Sequence, residues 1–171
     1  MPYPVWQPGM RITASLLAAM QPIEAIKTAD QAVTNSTTLV DDSELFVPVT
    51  GGARYRGQLV LFYVAPVDQD IKYAWSVPPG SSGRRGVLGV ATNESGTAVG
   101  QSLFQDRVSS GFGTEFDLGG MGGSHKMAVE HFILLAGADG VMQLRWAQRV
   151  AAADTSATVL ANSHLTLWRV S

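Results

Sequence analysis

The chain of 171 residues contains no cysteine. This absence excludes disulfide bonds and thiolate metal sites, so covalent cross-links make no contribution to stability. We expect neither a cofactor nor a bound metal. Charged residues are also scarce, at 15% of the sequence, where about a quarter is usual. A surface so poor in charge is typical of one that another subunit covers.

The sequence also lacks the features of two large classes of partner. The formal net charge is −2 and only three lysines are present, so no cluster of Lys and Arg is available to displace counterions from a nucleic acid. No apolar run approaches the roughly 20 residues that span a bilayer. The opening MPYPVWQPGM has neither the basic nor the apolar region of a signal peptide. We therefore expect a soluble protein made in the cytoplasm, with no nucleic-acid partner and no membrane span.

Motifs of catalytic and phosphate-binding sites are missing as well. There is no GxSxG elbow and no P-loop, and GFGTEF lacks the third glycine and the following helix of a dinucleotide site. His125 and His131 lie about 20 Å apart if they share a strand, which is too far to share a metal ion. Asp41, Asp42 and Glu44 form an acidic cluster that could bind Ca²⁺, but a solvated turn is the favoured interpretation. We predict that the chain is not an enzyme.

Strand periodicity is what the sequence does contain. In DIKYAWSV, the residues Ile71, Tyr73, Trp75 and Val77 alternate with polar or small ones, which predicts a strand with Asp70 outside the core. In the last third of the chain, the apolar run VEHFILL, the turn GADG, the alternating segment VMQLRWAQ and the closing run HLTLWRV predict an antiparallel sheet.

The segment RYRGQLVLFYVA is apolar on both faces in its middle. It therefore predicts a central strand whose outer face a neighbouring subunit covers. About eight to ten short strands with regular turns and no helices between them predict an all-β fold, an antiparallel, jelly-roll-like β-sandwich. We assign this domain to residues 36–171.

Residues 1–35 have a different character and predict an N-terminal arm. Prolines fix an extended segment around Tyr3 and Trp6. The stretch RITASLLAAMQPIEAIKTADQ predicts the one convincing helix, with Thr13 as its N-cap and a break near Pro22. Its apolar face is formed by Ile12, Leu16, Met20 and Ile23.

A helix this short needs a surface to lie on, either the chain's own sheet or another protein. We interpret Tyr3, Trp6 and the helix face as an anchoring interface. We expect a variant lacking the first 30 residues to fold normally, because the arm then lies outside the core.

Residues 109–126, SSGFGTEFDLGGMGGSHK, contain six glycines and predict a long exposed loop. Its large apolar residues are candidates for contact with a partner, because function concentrates on loops held by a rigid scaffold. These candidates are Phe112, Phe116 and Met121. The alternative is that they fold back onto the domain.

Two segments carry a resemblance to a known group of proteins. The opening WQPGMRITASLLAAMQP with TNSTTLVDDSELFVPV, and the ending LRWAQRVAAADTSATVLANSHLTLWRV, resemble the minor tail and virion structural proteins of tailed phages that infect actinobacteria. The resemblance implies a virion component assembled in the host cytoplasm, with a jelly-roll domain of the type that forms homotrimers. It also implies contacts with other virion proteins and, in host attachment, with a surface glycan.

The leading hypothesis is a tail-associated structural protein that anchors through its arm and displays its β-domain for assembly or host attachment. A head decoration or capsid-fibre protein is an alternative. A carbohydrate-binding receptor-recognition module is a second, and it predicts exposed aromatic residues in loops. A small cell-wall hydrolase is a third, and it predicts a cleft with two carboxylates roughly 5–10 Å apart.

Overall fold

Twelve strands and one short helix make up the described part of the chain, which is residues 7–18, 20–92 and 104–171 of a computed structural model. In chain order they are α1 (Ala14–Ala18), β1 (Ile23–Ile26), β2 (Gln31–Thr34), β3 (Val40–Val49), β4 (Arg54–Ala65), β5 (Ile71–Ser76), β6 (Ser82–Val90), β7 (Phe104–Ser109), β8 (Phe116–Leu118), β9 (Gly122–Leu135), β10 (Gly140–Gln148), β11 (Ser156–Val159) and β12 (His164–Arg169). No helix in these ranges is long and apolar enough to cross a membrane.

The strands form two antiparallel sheets. The larger sheet has the order β1-β12-β4-β9-β6-β7, with β11 beside β4 and β2 beside β11, and the smaller sheet has the order β3-β10-β5-β8. When the β6–β7 hairpin and the short strands β2 and β11 are set aside, eight strands remain. Numbered along the chain, they run 1-8-3-6 in one sheet and 2-7-4-5 in the other. This is the order of a jelly roll, so the predicted all-β, antiparallel sandwich is confirmed.

The core lies between the two sheets and follows the period of two that a strand imposes. On β10, Met142, Leu144 and Trp146 are fully buried, as their alternation predicts. On β5, Tyr73 and Trp75 point into the same core. The partners that the larger sheet contributes are Tyr55, Leu59, Leu61, Tyr63, Phe132, Leu134, Leu165 and Leu167.

The N-terminal region departs from its prediction. Thr13 caps α1 as expected, since its side-chain oxygen accepts a hydrogen bond from the backbone N–H of Leu16 at 3.3 Å, but the helix ends at Ala18. Residues 23–26 form β1 instead, in register with β12 so that Ile23 lies opposite Leu167. Ile23 therefore packs against the core and is not part of a helical stripe.

The β-domain begins at β1, because both β1 and β2 belong to the larger sheet. The predicted boundary between residues 35 and 36 is therefore placed too late. The segment IEAI also alternates between half-buried and exposed positions, which suits a strand. The ladder of hydrogen bonds offered by β12, at the other end of the chain, decides in favour of the strand.

Half of the glycine-rich stretch lies in strands, which corrects the prediction of one long loop over residues 109–126. Only residues 110–115 and 119–121 lie outside strands. Phe112 and Phe116 are buried in the core, so they are not available to a partner. Met121 is half-buried beside the start of β9.

Candidate docking surface

The buried carboxylate of Glu130 lies between the sheets and is fully hydrogen-bonded. It accepts bonds from the hydroxyl of Tyr73 at 2.6 Å, from Nε1 of Trp75 at 3.0 Å and from Nε of Arg85 at 2.8 Å. Nη2 of Arg85 donates a further bond at 3.1 Å. Burial, and then the neighbouring carboxylate, raise the pKa of Tyr73 well above its ordinary value. The polar groups of this cluster form hydrogen bonds with one another, which is the arrangement of a structural cluster.

Arg85 explains why the glycine-rich stretch folds back onto the domain. Its Nη1 donates to the backbone carbonyls of Phe112 at 2.9 Å and Thr114 at 3.0 Å. Its guanidinium also lies 4.0 Å from the centre of the Phe116 ring, which is a favourable cation–π distance. One buried arginine therefore holds residues 110–116 against the sandwich. Local sequence gives no sign of this, because the contact joins β6 to residues that follow β7.

The three residues of the acidic cluster at the start of β3 differ in burial and in their main partners. Asp42 is fully buried, where it accepts bonds from Nζ of Lys27 at 3.0 Å and Nε1 of Trp146 at 3.1 Å. Asp41 pairs with Arg145 on the surface. Glu44 accepts hydrogen bonds from Thr28, which lower its pKa.

The prediction of a solvated turn is therefore wrong for Asp42, whose carboxylate needs Lys27 as a counter-charge because it is buried. Throughout the ranges that the structure describes, no group of three His, Asp or Glu side chains could hold a metal ion.

Asp70 is a third buried carboxylate, and its predicted position outside the core is wrong. It adopts a positive φ of 48° in the turn before β5, where Oδ1 accepts a bond from the backbone N–H of Gly120 at 2.8 Å. Oδ2 lies 3.5 Å from Nη1 of Arg149. Burial raises the pKa of Asp70, although the Gly120 bond and Arg149 oppose the shift. The turn reverses the alternation that β5 otherwise obeys.

The outer face of the larger sheet is the side that points away from the smaller sheet, and apolar residues occupy much of its centre. One row of residues crosses six strands in register, and it consists of Ile26, His164, Val60, Val129, Leu88 and Asp106. Around this row, Val108, Met127, Ile133 and Leu135 are exposed, while Phe62 and Trp168 are half-buried. The apolar residues are contiguous because neighbouring strands place them side by side.

Shallow depressions flank His131 at the middle of this face. They arise because Gly86, which lies opposite His131 in the sheet, has no side chain. On the other side, the guanidinium of Arg56 stacks over the Trp168 ring at 4.9 Å. The surface is therefore apolar and uneven, and a partner's side chains could enter it.

The outer face of the smaller sheet has a different character. It exposes Phe46 and Val141, but the ion pair of Arg145 with Asp41 lies beside them. Lys72 and Glu115 form another ion pair on the same side at 3.0 Å. In the described part of the chain, none of the ion pairs lies on the outer face of the larger sheet. The outer faces of the two sheets thus differ in that ion pairs cover part of the smaller sheet.

The predicted anchoring residues are only partly placed. Tyr3 and Trp6 lie outside the described residues. Ile12 and Met20 are exposed, and Leu16 is half-buried. Leu17, which the helical stripe did not include, is also exposed. The segment before β1 therefore presents apolar side chains that the sandwich does not cover.

Comparison with known proteins gives little similarity. No protein-family model matches the sequence, and no curated protein sequence matches it. Two solved structures of infectious bursal disease virus are similar to the chain. The Gt strain structure has 10% sequence identity and a TM-score of 0.18, and it covers 99% of this chain and 45% of its own. The Gx strain structure has 11% identity and a TM-score of 0.22, with 99% and 46% covered. The chain thus spans less than half the length of these viral chains, and similarity at this level carries no argument about function.

Proposed function

We propose that this chain is a structural protein of a virus particle, associated with the tail, that anchors through its N-terminal segment and displays its jelly roll for assembly or host attachment. The observation that carries the proposal is the segment before β1. There Ile12, just before the helix, is 61% exposed, and Leu17, on a helix of only five residues, is 53% exposed. Apolar side chains on so short a helix need a partner surface. The resemblance of the two ends of the chain to phage structural proteins supports the same function.

The rest of the molecule favours contact with other proteins over chemistry. Jelly rolls serve as viral capsid domains, as lectins and as cupins. A cupin works in the space between its sheets, and here Tyr55, Tyr63 and Trp146 fill that space. A lectin needs aromatic side chains at its loops, whereas Tyr73 and Trp75 are buried on a strand. Both features favour a structural role over these two alternatives.

The test is made in the phage that encodes the chain. The double variant Ile12→Asp, Leu17→Asp places two charges on the exposed segment without touching the core. We expect the variant to keep the melting temperature of the wild type. Its amount in purified particles should decrease at least about tenfold, because apolar anchors carry most of the energy of an interface. Quantitative mass spectrometry of separated heads and tails measures the loss.

A matched control is the double variant Phe46→Asp, Val141→Asp, which removes two comparably exposed apolar residues from the smaller sheet. It should enter particles at the wild-type level. Wild-type amounts of the Ile12, Leu17 variant in tails would refute anchoring through this segment. Recovery of the wild-type protein in heads alone would favour the head decoration alternative.

A further inference from the structure

The β6–β7 hairpin enlarges the outer face of the larger sheet. It is inserted between β5 and β8, and it adds two strands beyond the edge at which the jelly-roll order ends. Leu88 on β6 is 57% exposed and Val108 on β7 is 64% exposed, and both point outward. An insertion that serves only the core would turn polar residues toward the solvent. This hairpin extends an apolar surface instead.

The area of this face suits a stable protein interface. Six strands at a spacing of about 4.8 Å make it about 29 Å wide. Four outward residues on β9, from Met127 to Ile133, at about 6.8 Å each extend about 27 Å along the strands. Because β1, β7 and β12 are shorter than this, the area of the face is roughly 650 Å², close to the roughly 800 Å² that each partner contributes to a standard interface.

The charges on the face are few and of both signs. Arg54, Arg56 and Arg84 lie toward one end of the strands, and Glu24 and Asp106 lie on the two outermost strands. An anionic lipid surface or a nucleic acid would select for positive charge alone. A surface with both signs can meet another of its own kind with opposite charges brought together.

We propose that the outer face of the larger sheet is a subunit interface and that it binds a second copy of this chain. The row from Ile26 to Leu88, which is apolar except for His164, forms its centre, and the charged residues lie around it. The inference stands apart from the virion proposal, because it concerns the purified protein and not its place in a particle. Contact of this face with the same face of a second copy gives a dimer with twofold symmetry, whereas a closed ring of three copies would bring it against a different surface of the next subunit.

The first experiment measures the mass of the full-length protein by light scattering after gel filtration at micromolar concentration. We expect a multiple of the chain mass of 18.2 kDa. Separate variants Ile133→Glu and Leu88→Glu should weaken association at least about tenfold, because a buried charge at the centre of an interface lacks a partner. The controls Val141→Glu and Phe46→Glu replace residues of the smaller sheet that are similarly exposed, and they should keep the wild-type mass.

A second measurement does not depend on disruptive variants. Because the chain has no cysteine, a single substitution Leu88→Cys or Val141→Cys supplies the only thiol for labelling with a maleimide. We expect Leu88→Cys to react at least about tenfold more slowly at micromolar than at nanomolar concentration, since association covers it. Val141→Cys should react at the same rate at both concentrations.

Three results would overturn the inference. The first is a monomeric mass for the wild-type protein at micromolar concentration. The second is an oligomer that both Ile133→Glu and Leu88→Glu leave intact. The third is an oligomer that the Ile12→Asp, Leu17→Asp variant dissolves while the face variants do not, because the N-terminal segment would then hold the copies together.

Discussion

At the scale of single residues, the buried ionisable groups hold distant parts of the chain together. Glu130 and Arg85 join β9 to β6, and Arg85 also fixes the residues after β7. Lys27 and Asp42 join the turn after β1 to β3. Such pairs add little stability compared with apolar residues of the same size. Removing one partner, however, leaves the other charge unpaired in the core. Their main effect is therefore to specify which segments meet.

The Glu130→Gln variant tests this view. It leaves the Arg85 guanidinium buried without its counter-charge, so we expect a loss of about 3–5 kcal/mol in the free energy of unfolding. Urea unfolding measures the change. Glu115→Gln is the control, because Glu115 pairs with Lys72 at 3.0 Å but is 44% exposed, and such a pair contributes at most about 1 kcal/mol. Equal effects of the two substitutions would contradict the structural role of Glu130.

Asp70 gives a prediction about pH. Burial raises its pKa above the ordinary value of 3.8, so in the range just above that value the folded state holds more protons than the unfolded state. Its contribution to stability is therefore complete at low pH and is lost as the pH rises through this range. Asp70→Asn keeps an oxygen that can accept the Gly120 bond, and asparagine tolerates the positive φ.

We therefore expect the free energy of unfolding of Asp70→Asn, relative to that of the wild type, to be highest at neutral pH and to decrease in acid. The difference between the unfolding free energies of the two proteins, measured at several pH values, isolates this group from the others. A difference that stays constant with pH, or grows in acid, would contradict the assignment.

At the scale of elements, the sequence predicts strands well where one face is buried. The alternation in β5 and β10 depends only on the strand's own residues, and Tyr73, Trp75 and Trp146 are buried as expected. The local sequence pattern does not predict β1 and β8, because both are short and each is defined by the strand beside it. Pairing energy from a distant partner outweighs local preference in such segments.

The residues of the candidate docking surface also divide into those that the local sequence predicts and those that only strand pairing brings together. The apolar middle of β4 is visible in the sequence on both faces, and it led to the expectation of a covered outer face. Leu88 and Val108 gave no such signal, because glycines and charged residues surround them along the chain. Only the register of β6 with β9 and β7 brings them beside Val129 and His131.

At the scale of the whole molecule, the two ends of the chain close the fold. β1 pairs with β12, and Lys27 provides the buried counter-charge for Asp42. Most strand neighbours are distant in sequence, and a fold of this kind forms slowly and as a unit. The described N-terminal region therefore has two parts, a segment before β1 whose residues Ile12 and Leu17 are exposed and a strand that belongs to the larger sheet.

Two truncations separate these roles. A variant lacking residues 1–20 retains β1, so we expect it to keep the melting temperature of the intact chain. A variant lacking residues 1–30 also loses β1 and Lys27, which exposes the edge of β12 and leaves Asp42 buried without its counter-charge. Loss of that partner alone costs about 3–5 kcal/mol, so its melting temperature should fall by about 10 °C or more. Differential scanning calorimetry at one protein concentration measures both. Equal melting temperatures for the two variants would mean that β1 adds nothing to the sandwich, and would restore the expectation that the first 30 residues are dispensable for folding.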